Sequence, residues 1–266
     1  MSERASGDQS YHDWYEANAH QFLESVAVEL QFARLDPEGQ QRLDRFKLGP
    51  LKSHQLVDFR DKDVLEFGAG HGRLALRISG YRTYLGVDFA AKLVRIGEQR
   101  LREAGVGDRA RLVVGDCLSF DGPAGAYDIV CSLGMLPYIE DLDAVIQRMA
   151  YHTKPGGIVL ADFRQATPLY NVMRRLARPL RSETGGSSHA HSKQRLVDAL
   201  RRVDVTDIRF VMREYPWLGD WYAGRKWEWA LRAKDMLARR RWLDWLGLVG
   251  FVIARKPSAP GGARSS

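Results

Sequence analysis

The chain has 266 residues, 45% of them hydrophobic, and a formal net charge of +7 at pH 7. That length suits one large domain with insertions better than two independent ones, and no apolar run approaches the roughly eighteen residues of a membrane span. The only two cysteines, Cys117 and Cys131, lie in apolar strand-like settings, so they read as small core residues and exclude a disulfide framework or a cysteine metal site.

Residues 1–10 are polar with both charge signs, and the tail 256–266 reads KPSAPGGARSS. Both have the composition of disordered segments, and no secretory leader is visible. A cytoplasmic protein is the expectation. Residues 11–60 are expected to form an N-terminal helical cap, with its helix over about 11–34. A short apolar strand at 64–67 is followed at once by a helix over about 72–78. A second strand at 83–87 leads into an amphipathic helix over 90–103, and a third strand follows at 110–114. A fourth strand at 127–132 precedes a helix over 142–151, and the turn Lys154-Pro155-Gly156-Gly157 delivers a fifth strand at 158–163. Strands rich in β-branched residues alternating with helices argue for a parallel sheet covered on both faces.

Beyond the fifth strand the pattern changes. Thr167-Pro168 offers an N-cap and a first-turn proline, with Leu169, Val172, Met173 and Leu176 on one helical face. A Gly/Ser-rich loop carries His189 and His191, and Ser192 is placed to cap a helix reaching 202. Two final strands are expected at 205–212 and 248–253. The insertion between them, about 214–246, is too long for a hairpin and holds six of the seven tryptophans. The main domain is expected to run from 61 to 255.

The chemistry concentrates in Leu65-Glu66-Phe67-Gly68-Ala69-Gly70-His71-Gly72. A strand ends, glycines turn the chain, and a helix N-terminus then presents unpaired N–H groups to a ligand. The dinucleotide pattern G-x-G-x-x-G fails, because its third glycine position is Arg73. No G-x-x-x-x-G-K-[ST] is present either, which removes a P-loop. What remains is an acid two residues before G-x-G-x-G. Further on, Gly86-Val87-Asp88 and Gly115-Asp116-Cys117 each end a strand on an acid.

These three elements and the Lys154-Pro155-Gly156-Gly157 turn resemble in order and spacing the class I S-adenosylmethionine-dependent methyltransferases over about 63–164. The resemblance implies an α/β fold: a Rossmann-like, seven-stranded, mostly parallel sheet with helices on both faces, an N-terminal helical lid and the Trp-rich helical insertion between the last two strands. It implies S-adenosyl-L-methionine as cofactor and 61–255 as the methyltransferase domain. It also implies roles residue by residue. Glu66 would face the methionine ammonium, while Gly68, Ala69 and Gly70 would pack against methionine and ribose. Asp88 would hold the ribose diol, with Phe89 beside the adenine. Asp116 and the Cys117 N–H would read the adenine edge, and Ser132 and Leu133 would border the methionine. His71 departs from the small residue usual at its position.

Methyl transfer from a sulfonium needs alignment and exclusion of water more than it needs a base, unless the nucleophile is protonated. Tyr138, just past the fourth strand, is the candidate catalytic residue, matching a His or aromatic that borders the transfer site in relatives. His12, Trp14 and Tyr15 could close a lid. His189 and His191 lack partners at metal-ligand spacing, and no metal is expected. The segment Cys131-Ser132-Leu133-Gly134 carries no Asn-Pro-Pro-Tyr-like signature, which argues against amino-methylation of DNA bases or protein glutamine.

The expected reaction is methylation of a small-molecule acceptor, with a hydroxyl oxygen leading, and the Trp-rich insertion would suit an apolar or aromatic one. Arg174, Arg175, Arg178 and Arg181 near a short helix leave peripheral membrane contact, and so a lipid or isoprenoid acceptor, as the alternative. The net positive charge also keeps RNA in view, although no RNA-binding motif stands out and no nucleic-acid partner is expected. A non-catalytic cofactor-binding protein is the remaining reading.

Overall fold

The computed structural model describes residues 57–167, 172, 189–214, 247 and 249–258. The expected N-terminal cap with His12, Trp14 and Tyr15, nearly all of the Pro168 helix, the Trp-rich insertion and the outer ends of the chain lie outside them. The described elements are β1 (Asp63–Phe67), α1 (Arg73–Arg77), β2 (Thr83–Asp88), α2 (Ala91–Glu103), β3 (Ala110–Val114), β4 (Tyr127–Ser132), α3 (Leu142–His152), β5 (Thr153–Arg164), α4 (Lys193–Arg201), β6 (Thr206–Glu214) and β7 (Val249–Arg255).

Seven strands form one sheet in the order β3-β2-β1-β4-β5-β7-β6. The pairs β1–β2, β1–β4, β2–β3 and β4–β5 are parallel. At the far side, Lys256 just after β7 exchanges backbone bonds with Gly156 and Gly157 at the start of β5, and Thr206 at the start of β6 reaches the Arg255 carbonyl at the end of β7. Strand β7 therefore runs against its neighbours, and the sheet is mostly parallel.

The strands form because they are buried. Val64, Leu65 and Phe67 of β1, Ile129 and Val130 of β4, and Val159 and Leu160 of β5 are essentially inaccessible. Helix α2 turns Leu93, Val94 and Leu101 inward, and α3 buries Leu142, Val145, Ile146 and Met149. The Asp141 carboxylate caps α3 by accepting the Ala144 N–H at 3.1 Å, the kind of cap worth about 1 kcal/mol. Helices α3 and α4 are tied by Arg195, which grips Asp143 through two bonds of 2.8 and 2.7 Å. Cys117 and Cys131 are both buried thiols, as core residues would be.

Strand β5 starts five residues before the expected 158. Thr153 already pairs with Tyr127, and the register shifts before Ile129 meets Ile158. The intervening Lys154-Pro155-Gly156-Gly157 bulge stays in the sheet because its backbone groups find partners in Lys256. Gly157 is required there: a Cβ would lie 2.9 Å from the Asp128 carbonyl oxygen and 2.8 Å from that of Lys154.

The chain divides into two compact units. One consists of Phe59–Asp162, Lys193–Phe210 and Val252–Ser266, and holds the site described below; the other takes in Met1–Asp58, Phe163–Ser192 and Val211–Phe251. Within the second unit, Gln165 and His191 form a parallel bridge, with the His191 N–H on the Arg164 carbonyl at 2.8 Å. The His-x-His segment is thus held by backbone pairing at the end of β5. Among the described residues no helix is long and apolar enough to cross a membrane.

Candidate active site

The order 3-2-1-4-5 reverses direction between β1 and β4. Chains leaving the carboxyl ends of those two strands depart to opposite sides and open a crevice, where open parallel sheets bind their ligands. The segment after β1 is the glycine turn and the segment after β4 is Leu133-Gly134-Met135. They meet at Gly68, where a Cβ would lie 2.6 Å from that of Met135.

The turn is shaped by its glycines. Gly68, Gly70 and Gly72 have φ of +72°, +54° and +75°, a region that disfavours side chains. The N–H groups of Gly68 and Ala69 both bond the Val87 carbonyl, at 2.9 and 3.2 Å, which lays the turn across the end of β2. Glycines also clear the ground beneath it. A Cβ on Gly86 would lie 2.6 Å from that of Ala69, and one on Gly97, in the middle of α2, would lie 2.7 Å from the His71 carbonyl carbon. Gly70 differs, since no described atom lies within 4 Å of the position its Cβ would take. Among the described residues its outer side is open.

Asp88 locks this arrangement. One carboxylate oxygen accepts the Gly70 N–H at 2.7 Å and the other accepts the Ala90 N–H at 2.9 Å. The buried acid therefore fixes the glycine turn relative to the start of α2. Phe89 follows it, half-buried. The third strand leads to Asp116, which is exposed and bonds the Leu118 N–H with one oxygen at 3.0 Å. Beside it the Cys117 thiol is pushed up to about 12 by burial, so it stays protonated.

Glu66, next to last in β1, is a buried carboxyl that receives a hydrogen bond from the Tyr84 hydroxyl on β2. Burial above all pushes its pKa up to about 8. His71 is also buried, and desolvation, with Arg100 and Arg73 nearby, pulls its pKa down to about 3. Its imidazole is neutral at physiological pH and belongs to the wall of the turn.

Across the crevice, Ser132 and Leu133 are buried at the end of β4. The Gly134 N–H bonds the Asp162 carboxylate of β5 at 2.7 Å. Tyr138 lies in a 3-10 turn, Leu136–Tyr138, just after Met135; its N–H bonds the Met135 carbonyl at 2.8 Å and its side chain is half-buried.

Thus Glu66, Gly68, Ala69, Gly70, Asp88, Phe89, Asp116, Cys117, Ser132 and Leu133 all stand at the carboxyl ends of β1 to β4, with Tyr138 four residues past Gly134. Sequence reading passed over Tyr84, Gly97 and Asp162. A glycine inside an amphipathic helix and an acid inside the apolar run Ile158–Phe163 were the available signals. Among the described residues no group of three or more His, Cys, Asp or Glu side chains is placed to hold a metal.

The residues fit a nucleoside carrying an ammonium. A buried carboxyl that burial keeps from ionising gains by meeting a cation, a buried aspartate ends the second strand, and the open side of Gly70 leaves room between them. Comparison with known proteins agrees. Residues 64–157 match the family model described as a methyltransferase domain. The chain is 31% identical over 94 residues to a sterol 4-C-methyltransferase of Caenorhabditis elegans, covering 35% of this chain and 28% of that protein. It is 33% identical over 100 residues to a ubiquinone biosynthesis O-methyltransferase of Chromobacterium violaceum, covering 37% and 42%. The chain thus spans under half the length of these curated relatives. A solved S-adenosylmethionine-dependent methyltransferase of Thermotoga maritima, titled a possible histamine N-methyltransferase, shares the fold with a TM-score of 0.62 at 13% identity, over 92% of this chain and 99% of that one. Motif order, sheet order and the matched segment agree: residues 64–157 form a methyltransferase domain, on a sheet of the order that the class I S-adenosylmethionine-dependent methyltransferases resembled by the sequence would have.

Proposed function

We propose that this chain transfers the methyl group of S-adenosylmethionine to a small-molecule acceptor, with a hydroxyl oxygen as the leading nucleophile. The observation that supports it most is the pair of bonds by which Asp88 fixes the Gly70 N–H and the Ala90 N–H. They order the glycine turn before any ligand arrives, and preorganisation is what in-line transfer asks of an enzyme.

The bound cofactor supplies an activated methyl group and a good leaving group. The chain supplies the rest. In this reading Asp88 accepts the ribose hydroxyls, Glu66 pairs with the ammonium, and Phe89, Asp116 and the Cys117 N–H border the base. Ser132, Leu133 and the Gly134 backbone, braced by Asp162, close the methionine side and exclude water. Tyr138 borders the acceptor, and its phenol would orient a hydroxyl whose proton passes to solvent as the oxygen–carbon bond forms.

A second reading, a lipid or isoprenoid acceptor taken at a membrane surface, is favoured by the sterol substrate named for one relative. Incubating the protein with methyl-labelled S-adenosylmethionine and fractionated metabolite extracts tests both. Label in a polar small molecule supports the first, and label in the lipid fraction, with pelleting on anionic vesicles, supports the second. Label in RNA, or cofactor binding with no transfer to any fraction, would overturn both.

A further inference from the structure

Glu66 has a neighbour whose role the family motif does not supply. In the β1–β2 ladder Glu66 stands opposite Gly86, and Tyr84 stands opposite Val64. Residues two apart on a strand share a face, so Tyr84 lies diagonally from Glu66 on one side of the sheet. Glycine at 86 opens the path between them: a Cβ there would come within 3.3 Å of Tyr84 Cε1. The ring leans across that gap and its hydroxyl donates to Glu66 Oε2. Both side chains are almost wholly inaccessible, at 2% and 3% exposure.

Among the described residues, charged and titratable groups face Glu66 from four elements. From β2 come Tyr84 and Asp88, from β4 the Cys131 thiol, from α1 Arg73 and from β5 Asp162. Burial and the two aspartates favour the neutral carboxylic acid, while the Tyr84 hydrogen bond and Arg73 favour the carboxylate. Tyr84 cannot supply charge itself, since burial holds its phenol well above its usual range. It is a neutral donor fixed by packing, aimed at one oxygen of an acid that burial keeps protonated at neutral pH.

We propose that Tyr84 is a positioning residue that holds the Glu66 carboxyl for the cofactor's ammonium, and that the pair couples cofactor binding to release of a proton. The inference rests on the methyltransferase reading, in which Glu66 meets the ammonium. The proton leaves the Glu66 carboxyl for solvent, the carboxylate left behind pairs with the arriving cation, and Tyr84 keeps donating to it throughout. No bond between heavy atoms is made or broken.

Calorimetry of the full chain with S-adenosylmethionine, run at pH 7 in buffers of different protonation enthalpy, counts the protons released. The wild type is expected to release roughly one, because a group with a pKa near 8 is mostly protonated at pH 7, and Glu66→Gln none. Tyr84→Phe is expected to bind about tenfold more weakly at pH 7, the usual scale for losing a hydrogen bond to a charged group. Its affinity should recover only at higher pH, because the carboxylate has lost a donor. The ligand's own ammonium titrates alike in all variants and divides out against Glu66→Gln. In the Glu66→Gln background, adding Tyr84→Phe should leave affinity unchanged, whereas a merely structural role would weaken both backgrounds alike. Absence of proton release by the wild type overturns the proposal without any variant, as does a Tyr84→Phe protein with wild-type affinity and pH profile. A wild type that binds no S-adenosylmethionine removes the methyltransferase reading itself, a separate and recognisable failure.

Discussion

Strand β1 begins on one acid, Asp63, and carries another, Glu66, one residue before its end, and it holds the two in opposite states. At the start, Asp63 meets Arg82, Lys154 and Thr83; the Arg82 hydrogen bonds above all hold it well below the usual carboxylate range. Lys154 also bonds Asp128 at the start of β4, at 3.0 Å. Three residues after Asp63, Glu66 is driven the other way, to about 8, by burial. The amino edge of the sheet carries compensated charges in contact with water, which brace strand ends at little cost. The carboxyl edge carries Glu66, whose desolvation the protein compensates only in part. A polar group left in that condition is a place where a charged ligand gains binding energy. Sheet order says which edge should bind; the opposed states of Asp63 and Glu66 say the same independently.

The sharpest way to break this contrast is at the carboxyl edge. Asp88→Ala removes the acceptor of two backbone N–H groups and, on the proposed function, that of the ribose hydroxyls with them. Its affinity for S-adenosylmethionine is expected to fall at least about 100-fold, since several bonds to a charged group are lost at once. Gly70→Arg should abolish binding, because it fills the open side of the turn and puts a side chain at φ +54°. Titration calorimetry reads both, and binding left undiminished in either variant would refute the assigned site.

Next in size is a change that loads the turn from beneath. Gly97→Val drives a Cβ to 2.1 Å from Leu112 Cδ1 and 2.9 Å from the His71 carbonyl oxygen. Overpacking against backbone costs about 1–3 kcal/mol, which the better helix propensity of a non-glycine residue offsets only in part. Urea unfolding should show a loss of about 2 kcal/mol, with weakened cofactor binding in the protein that remains folded. Unchanged stability would mean that α2 is not pressed against the turn.

How far the sequence could see follows the same division. The alternation of strands and helices, the glycine turn and Asp88 and Asp116 at strand ends were legible because they depend on local spacing. Strand bounds fell within two residues everywhere except at β5. There Lys154-Pro155-Gly156-Gly157 reads as a turn by composition, yet Lys256, about a hundred residues later, supplies backbone partners that keep it in the sheet. Tyr84 was invisible for a related reason. Its meaning depends on lateral register, which sets it diagonal to Glu66 with a glycine between, and no motif along one strand encodes that. Asp162 marks a middle case: an acid in an apolar strand announces a purpose, but only the fold shows that it holds the Gly134 N–H.

The pH dependence of stability sharpens the comparison further. The folded pKa of Glu66 is raised above its unfolded value, so its contribution is present below about 4.5 and is lost as pH rises towards about 8. His71 has its folded pKa lowered, so its contribution is present above about 6.5 and is lost as pH falls towards about 3. Relative to Glu66→Gln, the ligand-free wild type should therefore lose stability between pH 5 and pH 9. Relative to His71→Gln it should lose stability below pH 6.5. Urea midpoints across that range read both, and parallel curves for the wild type and either variant would contradict the burial assigned to that residue.

The smallest effect is expected at the amino edge. Asp63 is lowered, so its contribution is present above the unfolded carboxylate range and is lost as pH falls through and below about 3.8. Asp63→Asn should flatten that acid limb. At pH 7 it should cost little, because Arg82 is more than half exposed and water and salt screen such pairs; the difference from wild type should shrink further in high salt. Cofactor affinity should not change, since Asp63 begins the strand whose other end meets the ligand in the proposed function. That null is the strict control on the whole contrast: an Asp63→Asn protein of normal stability that bound S-adenosylmethionine poorly would mean that the charges of the amino edge act through the length of β1, and the two edges would no longer be separable devices.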